Sequence, residues 1–353
     1  MLASLSAVTS LIAPNVATMG VKARSNRYSN SRRPLEMNAA AKMIIKSKKK
    51  EVAALRSALE EAADDDRLKK FLATGELDKY LGAPIKFSEA AFKSPGTISV
   101  MPEYNLKVKT GFIFGLPGPE IMGGVLRDAG SKAIVACMDG RTGGVSSTYF
   151  GKFVREQDRA RLFLPGPIPV VWNDFVVDKL QVANAAANGA AAITLYPDMV
   201  ESIKELKMLV EYSAKMGVEV LVMANSEEQA QMAVQSGAEI ICLHQMEERR
   251  LLATKEATEK AFPDHDLSFV ARLRAESEFT GYAEIDNAWA LRDAGFKVVW
   301  PSCEAIYCMG MLDLYPTISA MKSKSAKEFI SPRQFLMDRK KEGATEFLGD
   351  ILY

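Results

Sequence analysis

The 353-residue chain has few of the residues that build metal sites and disulfide frameworks. Its four cysteines are scattered, at positions Cys137, Cys242, Cys303 and Cys308. With only His244 and His265 to accompany them, no zinc-type spacing is present. The sequence therefore predicts reduced core thiols, no metal and no other cofactor.

Strong charge and long apolar runs are also lacking. The formal net charge is +1, so no basic field favours a nucleic-acid partner. No apolar run is long enough to span a membrane. The composition, 48% hydrophobic and 25% charged, is typical of a globular protein with one large or two small domains.

Acidic residues are missing from the start of the chain, where the first is Glu36. The preceding stretch is rich in Ser, Ala and Asn and contains Lys22, Arg24, Arg27, Arg32 and Arg33. This composition is typical of an organelle transit peptide, so we predict a transit or disordered leader over residues 1–40. The plastid (chloroplast stroma) is the favoured address and the mitochondrion the alternative. The apolar start "MLASLSAVTSLIAP" also fits the front of a bipartite leader for a secondary plastid.

The next segment, residues 41–96, is predicted to form N-terminal helices. The stretch "AKMIIKSKKKEVAALRSALEEAADDDRLKKFL" places Ile45, Val52, Leu55 and Leu59 on one face of a helix. A helix with one apolar face is expected to pack on a larger body.

From Thr97 onward, short apolar runs alternate with helical patterns. Eight runs are predicted as strands: "TISVMPEY", "KAIVACM", "IPVVWND", "AAITLYP", "EVLVMAN", "EIICLHQ", "FTGYAEI" and "KVVWPSC". The intervening helices commonly close with a glycine before the next strand, as in "LRDAGSKAIV". We therefore predict an α/β fold with a single (β/α)₈ barrel, a TIM barrel, over residues 97–322. Residues 323–353 form a C-terminal extension.

Functional groups of such a barrel lie at the carboxyl ends of its strands. Those ends carry Glu103 and Asn105, Asp139 and Arg141, Asn173 and Asp174, Met223 and Asn225, His244 and Gln245, and Glu284. Glu103 and Glu284 could face each other as general acid and base. Alternatively, they are ordinary rim carboxylates paired with Lys107 or Arg141.

Several segments together resemble the indole-3-glycerol-phosphate synthase family. "PVVWNDFVVDKLQVANAAANGAAAITL" is similar to its third strand, third helix and fourth strand, and "SVMPEYNLKVKTG" to its first-strand motif. "MGVEVLVMANSEEQAQMAVQSGAEIICLHQ", "MDGRTGGVS" and "IIKSKKKEVAALRSAL" extend the resemblance over roughly residues 41–309. The family is a lyase of tryptophan biosynthesis that closes the ring of a phosphorylated anthranilate–sugar adduct, with loss of carbon dioxide and water.

The resemblance also implies site residues. Glu103 and Glu284 match family glutamates, whereas catalytic residues of the family are replaced at Asn105, Asn173, Met223 and His244. Asparagine stands where the family has lysine at the first two of these positions. The implied substrate-binding residues are Asp139, Arg141, Gly143, Gly144, Phe175 and Cys303. The resemblance further implies that the family's phosphate turn is shortened after Glu284 and that Cys303 replaces a glycine of the same phosphate site.

These replacements favour loss of the family chemistry. Each positioned acid or electrostatic stabiliser typically contributes roughly 10²–10⁴-fold in rate. We therefore expect a pseudoenzyme, a binding or scaffold protein whose mouth takes a phosphorylated or aromatic small molecule. The alternatives are a divergent enzyme, in which Lys107 or Lys109 supplies an ammonium or His244 acts in other chemistry, and a synthase of tryptophan biosynthesis.

The end of the chain is unusually apolar. Five of its last seven residues are Phe347, Leu348, Ile351, Leu352 and Tyr353. The extension is expected either to cover an apolar groove on the barrel itself or to bind a protein partner or a second copy of the chain.

Overall fold

The computed structural model describes residues 39–77, 82, 84–92, 96–107, 116–273, 281–307 and 314–322. Most of the predicted leader, the whole C-terminal extension, Lys109 and Cys308 lie outside these residues.

Parallel strands alternate with helices along the described chain. The first strand, β1, has two segments, Ser99–Val100 and Glu103–Tyr104. The other strands are β2 (Ile134–Cys137), β3 (Val170–Asn173), β4 (Ala192–Leu195), β5 (Glu219–Ala224), β6 (Ile240–Leu243), β7 (Ser268–Arg272) and β8 (Val298–Trp300).

Three helices precede the barrel, and a helix follows each of the eight strands. The helices are α1 (Ala39–Glu61), α2 (Arg67–Thr74), α3 (Phe87–Ala91), α4 (Pro119–Asp128), α5 (Ser147–Arg159), α6 (Lys179–Ala187), α7 (Ile203–Lys215), α8 (Glu227–Gln235), α9 (Glu248–Ala261), α10 (Gly281–Asp293), α11 (Cys303–Tyr307) and α12 (Leu314–Lys322). Short 3₁₀ turns occur at Ala160–Leu162 and Pro197–Met199. In the described ranges, no helix combines the length and the apolar character that a membrane span needs.

The first strand closes the sheet into a barrel. Its first segment pairs with β8 and its second with β2, and every neighbouring pair is parallel. The interruption falls at Pro102, which has no backbone N–H to give to a ladder. The predicted (β/α)₈ barrel is therefore confirmed.

One predicted strand was wrong. The seventh strand is Ser268–Arg272, whereas the predicted stretch "FTGYAEI" runs into α10. Residues 279 and 280 of that stretch lie outside the described residues. From Ile285 onward the buried residues Ala288, Trp289 and Arg292 recur at intervals of three to four, which is the period of a helix. The true strand is short, and its charged end made it look like a loop.

Local signals set the helix ends. The predicted glycines follow their helices with positive φ, at Gly130, Gly189, Gly217, Gly237 and Gly295. Side-chain caps open many helices, and α6 begins with a capping box of Asp178 and Gln181. These signals explain why the alternation of strand and helix can be read from the sequence.

Apolar residues fill the barrel interior and the space between the strands and the surrounding helices. Inside, Met101, Met223, Cys242 and Trp300 belong to one buried cluster that also includes Phe87 of α3. The predicted apolar face of α1 packs as expected, since Ile45 and Val52 are buried. Ile45 lies in a cluster with Met199, which follows β4, so α1 contacts the carboxyl end of the barrel.

Candidate functional site

Glu103, at the end of β1, is surrounded by donors at the carboxyl end of the barrel. One of its carboxylate oxygens, Oε2, accepts from Arg272 at 2.8 Å and from the Trp300 indole at 3.1 Å. The other oxygen, Oε1, accepts from the Asn105 amide at 3.0 Å. Burial alone would raise the pKa of Glu103, but the Arg272 charge and the Asn105 hydrogen bond outweigh it and lower that pKa. Glu103 is thus an ionised carboxylate held in one orientation.

Arg272 is the cation at this point of the mouth. It ends β7, and its guanidinium carbon lies 4.3 Å from the centroid of the Trp300 ring. Its side chain is 30% exposed, so one edge of the ion pair with Glu103 faces the opening. The resemblance places a glutamate at the end of the seventh strand, and this chain has an arginine there.

Glu284 lies in the first turn of α10 and not at a strand end. It is buried, and its carboxylate accepts from the Ser302 backbone N–H at 2.8 Å and from the Ser302 hydroxyl. The described contacts of Glu103 and Glu284 therefore involve different groups. The predicted shortening of the phosphate turn assumed that Glu284 ends the seventh strand. In the structure β7 ends at Arg272, and the loop after it begins at Leu273. Most of that loop, residues 274–280, lies outside the described residues.

Asn173 stands where the resemblance implies a lysine, and its side-chain amide forms hydrogen bonds with neighbouring strands. Its carbonyl oxygen accepts from the Thr194 hydroxyl at 2.9 Å and from the Tyr196 hydroxyl at 3.0 Å. Its amide donates to the Cys137 sulfur at 3.3 Å. A lysine ammonium is donor-only and cannot accept from these two hydroxyls. The surroundings of β3 are therefore fitted to an amide.

Lys48 of α1 extends to the carboxyl end of the barrel. Its ammonium lies 2.6 Å from Asp174 and 3.1 Å from Asp139, and its side chain is 1% exposed. A third carboxylate, Glu51, lies at 2.8 Å. Burial would lower the pKa of Lys48, but these carboxylates, Asp174 above all, raise it. Lys48 thus fastens α1 to the ends of β2 and β3.

The turn after β2 is tied to Asp139. One oxygen of this carboxylate accepts from the Thr142 N–H at 3.0 Å and from the Thr142 hydroxyl at 2.9 Å. Arg141 lies 3.6 Å from the other oxygen and is partly exposed. Burial would raise the pKa of Asp139, but Lys48 and Thr142 lower it. The predicted binding residues Asp139 and Arg141 therefore lie at the mouth, with Asp139 turned toward α1.

The Gly-Gly pair of this turn is needed by the backbone. A Cβ on Gly143 would lie 2.1 Å from the Cys137 carbonyl oxygen. Gly144 has φ of 76°, and Lys107 packs against it. Lys107 also donates to the carbonyls of Gly140 and Arg141, the latter at 3.3 Å. Lys107 therefore supports the turn, and the Glu103 carboxylate pairs with Arg272 instead.

The other predicted positions have mixed surroundings. Met223 is buried in the barrel interior. Phe175 packs in the cluster under α1, with its ring 5.0 Å from Tyr196. Cys303 begins α11, and its sulfur lies 3.6 Å from a Glu103 oxygen. Burial raises the pKa of Cys303 well above its ordinary value, so it is a thiol and not a thiolate.

His244, just after β6, is a buried neutral imidazole. Burial and the nearby Arg272 charge lower its pKa to about 4. Its ring stands edge-on to Tyr196 at 5.8 Å, and its Nδ1 atom has no hydrogen-bond partner among the described residues. At neutral pH it carries no charge to offer a ligand.

Comparison with known proteins supports the resemblance for part of the chain. The family model described as "Indole-3-glycerol phosphate synthase" matches residues 160–287, a segment that contains β3 to β7. Over that segment the chain is similar to the indole-3-glycerol phosphate synthase family. At two strand ends of the segment it has Asn173, in β3, and Arg272, in β7.

Individual relatives match over short stretches. An indole-3-glycerol phosphate synthase of Nautilia profundicola is 37% identical over 75 residues, which are 21% of this chain and 29% of the relative. A Chlorobium phaeovibrioides protein of the same name is 29% identical over 132 residues, 37% of this chain and 49% of the relative. The chain therefore spans less than half the length of these relatives. A solved 3-hexulose-6-phosphate synthase, 13% identical with a TM-score of 0.46, covers 64% of this chain and 99% of its own.

Two cations of the site, Lys48 and Arg272, were missed in the sequence. The buried positions of α1 are Ala41, Ile45, Lys48 and Val52, so the lysine lies within the apolar stripe. A charged residue at such a position was a usable signal. Arg272 ends the buried run Phe269 to Ala271, which was a weaker signal because the run is only three residues long.

Proposed function

We propose that this chain is a catalytically degenerate barrel that acts as a binding or scaffold protein. The observation that carries the proposal is that two buried or partly buried cations at the mouth, Arg272 and Lys48, are each held in ion pairs. Arg272 is paired with Glu103, and Lys48 is buried against Asp139 and Asp174. Neither cation is placed as a mobile acid over the mouth.

The chemistry of the site supports this proposal. Ring closure with loss of water needs a group that can donate a proton near neutral pH. A guanidinium holds its proton too strongly, and the carboxylates around Lys48 raise the pKa of its ammonium. His244 is already deprotonated at neutral pH, since its pKa is lowered to about 4. Asn173 has no acidic proton to give.

A direct assay tests the proposal. We expect purified full-length protein to convert the phosphorylated anthranilate–deoxyribulose adduct to indole-glycerol phosphate no faster than a protein-free blank. A Campylobacter jejuni indole-3-glycerol phosphate synthase, assayed in parallel, is the positive control. Losing two positioned lysines predicts a deficit of at least roughly 10⁴-fold.

The assay also addresses the alternative, a divergent synthase of tryptophan biosynthesis. Glu103 favours it, because this family-matching carboxylate is ionised and held at the mouth. Turnover above the blank that disappears in Glu103→Gln would establish the synthase and refute the degenerate barrel. Turnover that survives in Glu103→Gln would indicate a contaminating enzyme.

The address proposed for the protein is the plastid. It rests on the acid-free, arginine-containing start of the chain, before Glu36. Residues 1–40 fused to a fluorescent protein should direct it to the plastid of a plastid-bearing cell. Mitochondrial or diffuse fluorescence would count against a plastid leader.

A further inference from the structure

Helix α1 packs one side on the barrel and exposes the other. Lys42, Lys46 and Lys50 recur every four residues on the exposed side, in the first half of the helix. Glu60 and Glu61 are exposed in its last turn. We call this exposed side the outer face of α1. It is basic where the helix begins and acidic where the helix ends.

The charges of the outer face are not neutralised by the barrel. Among the described residues, its three lysines and two glutamates form no ion pair. Charges on the flanks of the same helix are paired, Lys49 with Glu201 and Arg56 with Asp178. The outer face therefore differs from the flanks of α1, whose charges have partners on the barrel.

This order of charge is unfavourable for the helix alone. Lysines four residues apart repel each other. The helix macrodipole favours acidic residues in the first turn and basic residues in the last, and α1 has neither. Its last turn instead contains Glu60 and Glu61. A partner with the opposite order of charge would offset both unfavourable effects.

A second copy of α1, lying antiparallel, has the required order. If the two helices cross at Ala53–Ala54, Lys46 and Glu61 lie equally far from the crossing point on opposite sides. Lys46 of one copy then lies opposite Glu61 of the other. Lys42 comes close to Asp65, which is exposed in the turn after the helix. A two-fold axis repeats each of these pairs, because the same surface is used by both copies.

The middle of the outer face suits a close crossing of helices. Ala53 and Ala54 are exposed and have no atoms beyond Cβ, so the two backbones can approach closely there. Met43, 71% exposed on the same face, adds apolar surface to the contact. The outer face thus combines small residues at its centre with complementary charges at its ends.

We propose that two copies of this chain associate through the outer faces of α1, antiparallel and related by a two-fold axis at Ala53–Ala54. A contact confined to one pair of helices is smaller than a standard interface of about 1,600 Å². The dimer is therefore weak, and it depends on low ionic strength because its ion pairs are exposed. The inference does not rest on the proposed function, since it uses none of the residues of the mouth.

Sedimentation velocity of the purified full-length protein tests the association. We expect a dimer whose fraction rises with protein concentration in about 0.05 M salt and which dissociates in about 0.5 M salt. A protein that stays monomeric in low salt at every concentration up to about 100 µM would overturn the proposal.

Reversal of charge tests the antiparallel order. Lys42→Glu/Lys46→Glu makes both ends of the outer face acidic, and Glu61→Lys/Asp65→Lys makes both ends basic. Each variant alone should dimerise at least roughly tenfold more weakly than the parent, because like charges then meet. An equimolar mixture of the two should recover the dimer, since every acidic end meets a basic one.

A matched control changes the same amount of charge elsewhere. Lys204→Glu/Lys207→Glu lies on the exposed side of α7 and should dimerise as the parent does. Circular dichroism and Tm should first establish that all the variants fold. Reversal variants that dimerise like the parent, or a mixture that stays monomeric, would assign the outer face to another partner and overturn the proposal. Equal weakening by the control would overturn it too, by showing that net charge alone governs association.

Discussion

A single buried lysine holds the N-terminal helix to the barrel mouth. Lys48→Met would leave Asp139 and Asp174 buried without their shared cation. Removing one partner of a buried pair typically costs about 3–5 kcal/mol, and we expect a loss of that order. Urea unfolding should show the loss, and hydrogen exchange should show faster exchange in α1.

The neighbouring lysine provides the control. Lys49 is exposed and lies 3.6 Å from the exposed Glu201. Lys49→Met should change the free energy of unfolding by less than about 0.5 kcal/mol, as exposed pairs usually do. Equal effects of the two substitutions on stability and exchange would show that Lys48 does not hold α1 to the barrel.

The neutral state of His244 predicts a pH dependence. Its pKa is lowered from 6.5 to about 4 by burial and by Arg272. Between these values the unfolded chain binds a proton that the folded chain does not, so stability falls as pH falls. The contribution reaches roughly 3 kcal/mol near pH 4.

His244→Asn removes this titration. The loss of stability between pH 7 and pH 4.5 should therefore be smaller in the variant than in the parent, whatever the difference at pH 7. Urea unfolding at the two pH values measures both losses. Identical losses would mean that His244 is protonated in the folded protein.

At the residue level, prediction from sequence worked where a strand end was identified. Glu103, Asp139 and Asn173 lie at the mouth because β1, β2 and β3 were assigned to the right residues. Glu284 was predicted at the end of the seventh strand because that strand was assigned to the wrong residues. Lys48 and Arg272 could not be placed in the site, because ion pairs with distant partners are set by tertiary packing and leave no periodic pattern.

At the level of elements, seven of the eight strands could be predicted, because apolar runs and helix-ending glycines alternate regularly. The exception, β7, has a partly exposed polar or charged residue at each end, Ser268 and Arg272. Its buried centre is too short to stand out from a loop. The helix that follows it, α10, has an apolar run that was mistaken for a strand.

The turn after β2 offers a test at this scale. Gly143→Ala would bring a methyl group to 2.1 Å from the Cys137 carbonyl oxygen, so the backbone must shift. Overpacking of this kind typically destabilises by about 1–3 kcal/mol. Gly140→Ala, in the same turn, meets no atom within 4 Å and should be nearly neutral. Thermal unfolding of both variants measures the contrast, and equal midpoints would contradict the tight turn.

At the scale of the molecule, the barrel and its chemistry rest on different residues. The fold depends on buried apolar layers, which persist here in every strand. The family reaction depends on a few charged groups at the strand ends, and these can change without disturbing the layers. That separation allows the charged groups at the strand ends to differ from those of the similar synthases while the barrel is kept.

The same separation predicts that restoring lysines will not restore the reaction. In Asn105→Lys/Asn173→Lys, the ammonium in β3 must displace hydrogen bonds from Thr194 and Tyr196, and Glu103 remains paired with Arg272. We expect turnover of the anthranilate adduct to stay at the level of the blank. Circular dichroism and Tm should first establish that the variant folds, and a working synthase with the reciprocal lysine-to-asparagine changes should lose at least roughly 10²-fold in rate. Turnover in the folded lysine variant would show that the mouth still has a productive geometry and that the two asparagines alone account for the lost chemistry.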